Sequence, residues 1–112
     1  MKVAVIGSRG FNDYELVVKT LSNLHITLLV SGGAKGADTL GEKYANEHDI
    51  PTLIFKPDWE THGKVAGMIR NTTIVDNSDI IVAFWDGESS GTKDSITKAE
   101  KKGKKVLIIT TK

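Results

Sequence analysis

The chain of 112 residues contains no cysteine, which excludes a disulfide scaffold, a thiolate zinc site and a cysteine nucleophile together. It also lacks a charge excess: 15 Lys and Arg against 14 Asp and Glu leave +1, so nothing in the overall balance draws it to nucleic acid or an anionic membrane. No apolar run approaches the roughly 20 residues that a membrane helix requires. The opening MKVAVIGSRG is too short an apolar stretch for a signal peptide and reads as a strand, so a reduced, cytoplasmic setting is expected. Proline occurs twice and tryptophan twice. Hydrophobic and charged fractions of 39% and 26% are those of a globular domain, and the length suits a single one spanning residues 1–112.

What is present is a repeating pattern. Continuously apolar, β-branched runs occur at residues 2–6, 27–30, 52–55, 80–84 and 105–109. They do not alternate, as expected of parallel strands covered on both faces. Helical stripes lie between them. Residues 13–24 align Tyr14, Val17, Val18, Leu21 and Leu24; residues 36–48 align Ala37, Leu40, Gly41, Tyr44, Ala45 and His48. Residues 63–77, the least clean stripe, use Val65, Ile69, Thr72 and Val75 or Asp76, and residues 91–102 use Ser95, Ile96 and Ala99. Residues 56–62 form the one longer connection. Five strands alternating with four helices predict a three-layer, Rossmann-like α/β domain with a parallel sheet, right-handed crossovers and strand order 3-2-1-4-5.

Glycine is slightly abundant: 11, where average usage of about 7% gives about eight. Its placement is more telling than its number. Seven glycines (7, 10, 32, 33, 36, 87 and 91) follow the first, second and fourth strands. The predicted order reverses between strands 1 and 4, so these loops converge on one crevice at the carboxyl ends of the strands. In Ser31-Gly32-Gly33-Ala34-Lys35-Gly36-Ala37-Asp38, glycines precede a helix start, where backbone N–H groups and the helix dipole favour a phosphate or carboxylate. The loop is neither a Walker loop nor a dinucleotide G-x-G-x-x-G; read alone, it also fits a tight turn with Asp38 as a first-turn acid. Trp85-Asp86-Gly87-Glu88-Ser89-Ser90-Gly91-Thr92 offers hydroxyls at another helix start, suited to an oxyanion or to plain N-capping by Ser89 or Ser90. Arg9, in Gly7-Ser8-Arg9-Gly10, stands where its planar fork can clamp a phosphate, or lie on the surface. Ala66-Gly67-Met68-Ile69-Arg70-Asn71 puts a costly glycine in a helix, implying close packing or ligand approach, next to the polar pair Arg70 and Asn71. Trp59 and Trp85 both follow strands on the ligand side, and either can stack on a base; Trp85, inside the glycine-rich loop, is the stronger candidate. Lys98, Lys101, Lys102, Lys104 and Lys105 complement a helix C-terminus away from the crevice. No histidine and carboxylate set has metal-ligand spacing, so no metal and no cofactor are expected.

Taken in order, the motifs Gly7-Ser8-Arg9, Ser31-Gly32-Gly33-Ala34-x-Gly36-Ala37-Asp38, Ala66-Gly67-x-x-Arg70-Asn71 and Trp85-Asp86-Gly87-x-Ser89-x-Gly91-Thr92 resemble the YspA/cpYpsA-related branch of the SLOG superfamily of bacteria and their phages. The resemblance spans nearly the whole chain. It implies a Rossmann-like domain that binds a nucleotide or nucleotide-derived ligand through Gly7, Ser8, Arg9, Ser31, Gly32, Gly33, Gly36, Asp38, Arg70, Asn71, Trp85, Asp86, Gly87, Ser89, Ser90, Gly91 and Thr92. The superfamily includes cytokinin-activating phosphoribohydrolases with a Pro-Gly-Gly-x-Gly-Thr-x-x-Glu motif. Aligning its Gly-Thr with Gly91-Thr92 puts Ser95 at the catalytic glutamate and Glu88-Ser89-Ser90 at the Pro-Gly-Gly. Arg70 resembles that family's helix arginine. Asp94 is one residue out of register, a rotation of about 100° on a helix; Asp86 and Glu88 are the loop alternatives. The candidate catalytic groups are therefore Asp86, Glu88, Asp94 and Arg70. The superfamily also includes the DNA-processing protein DprA, but the near-neutral charge argues against a nucleic-acid partner. Apolar residues on the third helix point to a homodimer.

Overall fold

The computed structural model describes residues 1–111. Its five strands are β1 (Lys2–Gly7), β2 (Leu28–Ser31), β3 (Thr52–Ile54), β4 (Ile80–Trp85) and β5 (Lys105–Thr110). All pairings are parallel, in the order β3-β2-β1-β4-β5, so the expected topology and its reversal between β1 and β4 are observed. In the centre Val5 pairs with Val82 and Ile6 with Ala83, which brings the carboxyl ends of β1 and β4 level.

Helices α1 (Tyr14–Leu21) and α2 (Ala37–Glu47) cover one face. Val17, Leu21, Tyr44 and Ala45 pack there on Val3, Val5, Leu29, Val82 and Phe84. The other face buries Ala4, Ile6, Val30, Ile81 and Ala83 beneath α4 (Ala66–Asp76) and α5 (Ser90–Lys101), through Ile74, Val75, Ile96 and Ala99. The Asp13 carboxylate accepts from the Leu16 amide and so starts α1, while Gly103 at positive φ follows the end of α5.

Two expectations change. First, only the central strands are covered on both faces. All of β3 is exposed, as is Ile108 of β5, because four crossover helices cannot also roof the two edges. Second, the connection at residues 56–62 is not bare: it holds the short helix α3 (Trp59–His62), begun by the Asp58 carboxylate accepting from the Thr61 amide. A 3₁₀ turn at Gly63–Val65 then leads into α4, so the third predicted helix starts later than its apolar pattern implies.

Gly41 shows how tightly α2 lies on β1: a Cβ there would sit 2.8 Å from Val5 Cβ. Alanine gains about 1 kcal/mol of helix propensity, but the buried Val5 has nowhere to move and overpacking costs about 1–3 kcal/mol. Gly41→Ala is expected to destabilise the fold by about 1 kcal/mol in urea unfolding; a stabilised variant would show that the interface yields.

Candidate functional site

The crevice is built around Ser8, at the end of β1. Its amide donates to Phe84 O (3.1 Å), and its carbonyl accepts from Phe11 (3.2 Å) and Ala37 (3.4 Å). Its buried hydroxyl accepts from the Asp86 amide (3.2 Å). The first, second and fourth strand ends are thereby tied at one residue. Gly36 completes the junction: it has φ +81°, and a Cβ would fall 2.3 Å from Ser8 O. No L side chain fits there, which is why the second loop needs a glycine at that position.

The second loop is organised by Asp38, whose Oδ2 accepts from the amides of Gly32 (3.1 Å) and Ala34 (3.2 Å). Ser31 Oγ accepts from Gly33 N (3.2 Å) and donates to Glu42 (2.7 Å). The amides of Gly32 and Gly33, expected to face a phosphate, are thus used to shape the loop. Positive charge is supplied instead by Arg70, which α4 projects across the crevice. Its Nη1 donates to Gly32 O (2.9 Å) and its Nε to Asn71 Oδ1 (3.0 Å). A Cβ on residue 32 would lie 2.6 Å from that Nη1, so Gly32 is what admits the guanidinium. Burial, together with the nearby Arg9, holds the Arg70 pKa below its usual value, opposed by the charge of Asp38.

Asn71, itself buried, carries the linkage onward: its Nδ2 donates to Gly91 O (3.3 Å) and to Asp94 Oδ2 (3.1 Å). Lys98 closes it by bonding Asp94 (2.8 Å) and Met68 O (2.7 Å). In the fourth loop, Asp86 Oδ1 accepts from Ser89 N (2.9 Å) and Glu88 N (2.8 Å), and these bonds hold its carboxyl below the usual carboxylate range. Ser89 is the N-cap residue of α5, but its side chain makes no capping bond; its hydroxyl pairs with Thr92 (3.1 Å). The first turn of α5 therefore keeps its helix-dipole attraction for an anion.

These elements enclose an open cleft of about 970 Å³. Gly7, Ser8, Arg9, Gly32, Gly33, Asp38, Arg70, Asn71, Asp86, Ser89, Ser90, Gly91 and Thr92 line it; Ser31, Gly36, Trp85 and Gly87 do not. Among the candidate acids Asp86 and Asp94 line the cleft and Glu88 does not, while Ser95 is buried at the glutamate position with Oγ bonded to Gly91 O (3.4 Å). Of the two tryptophans, the one at the cleft is not the preferred candidate. Trp85 packs on the α4–α5 core and donates its indole N–H to Ser89 O (3.1 Å), whereas Trp59 lines the cleft. Pro57, Lys64 and Met68 also line it; Met68 falls within the α4 motif, whereas Pro57 and Lys64 carry no motif and their signal was the length of the connection leaving β3 on the ligand side. Gly67 is not required by packing, since a Cβ there would meet only the Trp59 ring at 3.6 Å. Of the lysine run, Lys98 reaches toward the cleft, Lys102 pairs with Asp76, and Lys104 donates to Ser78 O (2.8 Å). Among the described residues, no group of three or more His, Asp and Glu is placed to hold a metal, and no helix is long and apolar enough to cross a membrane.

A family profile described as the YspA, cpYpsA-related SLOG family matches residues 1–62. The Gene 61 protein of Mycobacterium phage D29 is 33% identical over 117 residues, covering 95% of this chain and 94% of that protein. The chain belongs to the YspA/cpYpsA-related SLOG family. The stretch matched by the profile carries the first two loops of this SLOG domain; Arg70, Asn71 and the fourth loop lie beyond it. The fold is shared with DNA processing protein A (DprA) from Streptococcus pneumoniae, at a TM-score of 0.74 and 24% identity. That alignment covers 96% of this chain and 49% of DprA, so the SLOG domain spans about half of DprA's length.

Asp38 generates a prediction. Only 6% exposed, its carboxyl is pushed up to about 6 by burial, against the two amide bonds and Arg70. The folded state then holds a proton that the unfolded state has lost between about pH 4 and 6. Stability accordingly falls as pH rises through that window, by about 2–3 kcal/mol. Asp38→Asn keeps an acceptor for the loop amides and is expected to remove this slope; parallel wild-type and variant curves in urea unfolding at pH 4.5 and 7 would contradict it.

Proposed function

We propose that the crevice binds a nucleotide or nucleotide-derived small molecule through its phosphate. The observation that carries this reading is the pair Arg9 and Arg70 lining one cleft beside the uncapped first turn of α5. Arg70 is held in place by Gly32 O and Asn71, so its orientation is set before any ligand arrives. A phosphate relieves the repulsion between the two guanidiniums and accepts bonds from them, from the Ser89–Thr92 turn and from the helix dipole. Asp86 and Asp94 supply acceptors for ribose hydroxyls. Such a ligand fits a cytoplasmic protein, and the exposed Val65 just before α4, with Met68 and Ile69 on it, offers a face for a homodimer.

The second reading is an N-glycosidic hydrolase acting on a nucleoside monophosphate. Asp94 favours it: the carboxylate lines the cleft and is oriented by Asn71 and Lys98, where it can stabilise positive charge developing on the ribose. A DprA-like role on single-stranded DNA has the fold behind it, but the net charge of +1 adds nothing to it.

Calorimetry with nucleoside monophosphates, cyclic nucleotides and ADP-ribose derivatives is expected to find a ligand, with Arg70→Ala weakening it at least about tenfold, as for a lost charge-assisted bond. Absence of binding by every member of the panel would overturn the proposal. Release of ribose 5-phosphate, abolished in Asp94→Asn, would establish the hydrolase; unchanged nucleotide after prolonged incubation would leave binding alone.

A further inference from the structure

The cleft has two chemically different ends. Arg9, Arg70 and the α5 turn make one of them polar and cationic. Another part of the lining is Pro57, Trp59, Lys64, Gly67 and Met68, apolar but for the lysine, and of these Trp59 is 56% exposed and Met68 54%. A tryptophan left more than half exposed at a cleft is unusual for a residue whose ring stabilises a fold chiefly by burial. Its backbone is nonetheless shaped by bonds within its own turn. Asp58 caps the turn through Thr61 N (3.2 Å), Asp58 O accepts from His62 N (3.0 Å), and the Gly63 amide bonds back to Trp59 O. The ring edge lies 3.6 Å from where a Cβ of Gly67 would be, so it rests on the start of α4 without being covered by a side chain there. Gly67 and Arg70 are three residues apart on α4, about 4.5 Å along its axis. The residue on which the ring rests and the residue that carries the guanidinium thus stand less than one helical turn apart on α4, and both side chains line the same cleft.

Resting on the nucleotide reading above, we infer that Trp59 is the stacking platform for the base of a 5′-mononucleotide whose phosphate lies at Arg70 and Arg9. Trp59 is then the residue that selects a nucleotide over a bare sugar phosphate. Stacking needs a flat, open π-face and tolerates any base, so the platform itself requires no hydrogen-bonding partner for the base. Trp85, bonded through its indole to Ser89 O and packed in the core, does not compete for this role.

The test compares the four 5′-mononucleotides with ribose 5-phosphate by calorimetry on wild type, Trp59→Ala and Trp59→Phe. The wild type is expected to bind at least one mononucleotide about tenfold or more tightly than ribose 5-phosphate. Trp59→Ala should abolish that ratio while leaving ribose 5-phosphate affinity unchanged, and Trp59→Phe should restore most of it. The indole N–H resonance lost in Trp59→Ala should be the one that shifts when nucleotide binds. An unchanged ratio in Trp59→Ala overturns the inference while the phosphate site stands. Equal loss for both ligands, or a change of sedimenting mass with an unchanged ratio, assigns the ring to a structural or subunit contact and overturns it as well. Binding of neither ligand class by the wild type would fail the nucleotide reading itself.

Discussion

The guanidinium of Arg70 joins three segments that are far apart in the chain. It bonds the carbonyl of Gly32 on the loop after β2 and the amide of its neighbour Asn71, which in turn holds Gly91 and Asp94 on α5. The crevice where the sheet order reverses would otherwise be a gap between independent loops. A half-buried cation in that position tolerates little rearrangement, because each bond it loses leaves charge without a partner. Gly32 has no side chain for the same reason, and Asp38 is desolvated beside it. The electrostatics of the site and the shape of its second loop are one arrangement.

The fold was largely legible in the residues. Continuous apolar runs identified the strands, and the glycine-rich loops after the first, second and fourth of them located the crevice. The residues that misled did so for physical reasons. Apolar β3 resembles a covered strand, yet Leu53 and Ile54 are exposed, since an edge has no second neighbour and no helix above it. Periodicity cannot detect a helix of four residues, so α3 was invisible apart from the Asp58 that begins it.

The site was half legible. Residue type and loop position assign Arg9, Arg70, Asn71 and the Ser89–Thr92 turn to one crevice, and all of them line one cleft. They did not reveal which way groups face. The amides of Gly32 and Gly33 point into bonds with Asp38 and Ser31, a competition among acceptors that only three-dimensional placement decides. Trp85 sits in the more suggestive motif, but its position at the end of a buried strand turns its ring toward the core, while Trp59 on a short exposed helix is left to the cleft.

The junction at Ser8 has a kinetic meaning as well as a geometric one. Three walls of the cleft are cross-tied through that residue, through Gly36 and through Arg70. The remaining wall, from Pro57 to Val65, contains no buried residue, and the bonds that hold it are local to its own turn. The free energy needed to open a segment is smallest where buried contacts are fewest. For the ligand proposed above, entry and exit would therefore be set by that wall while the cross-tied end holds its shape, so that rates of exchange and strength of charge recognition would be governed by different parts of the chain.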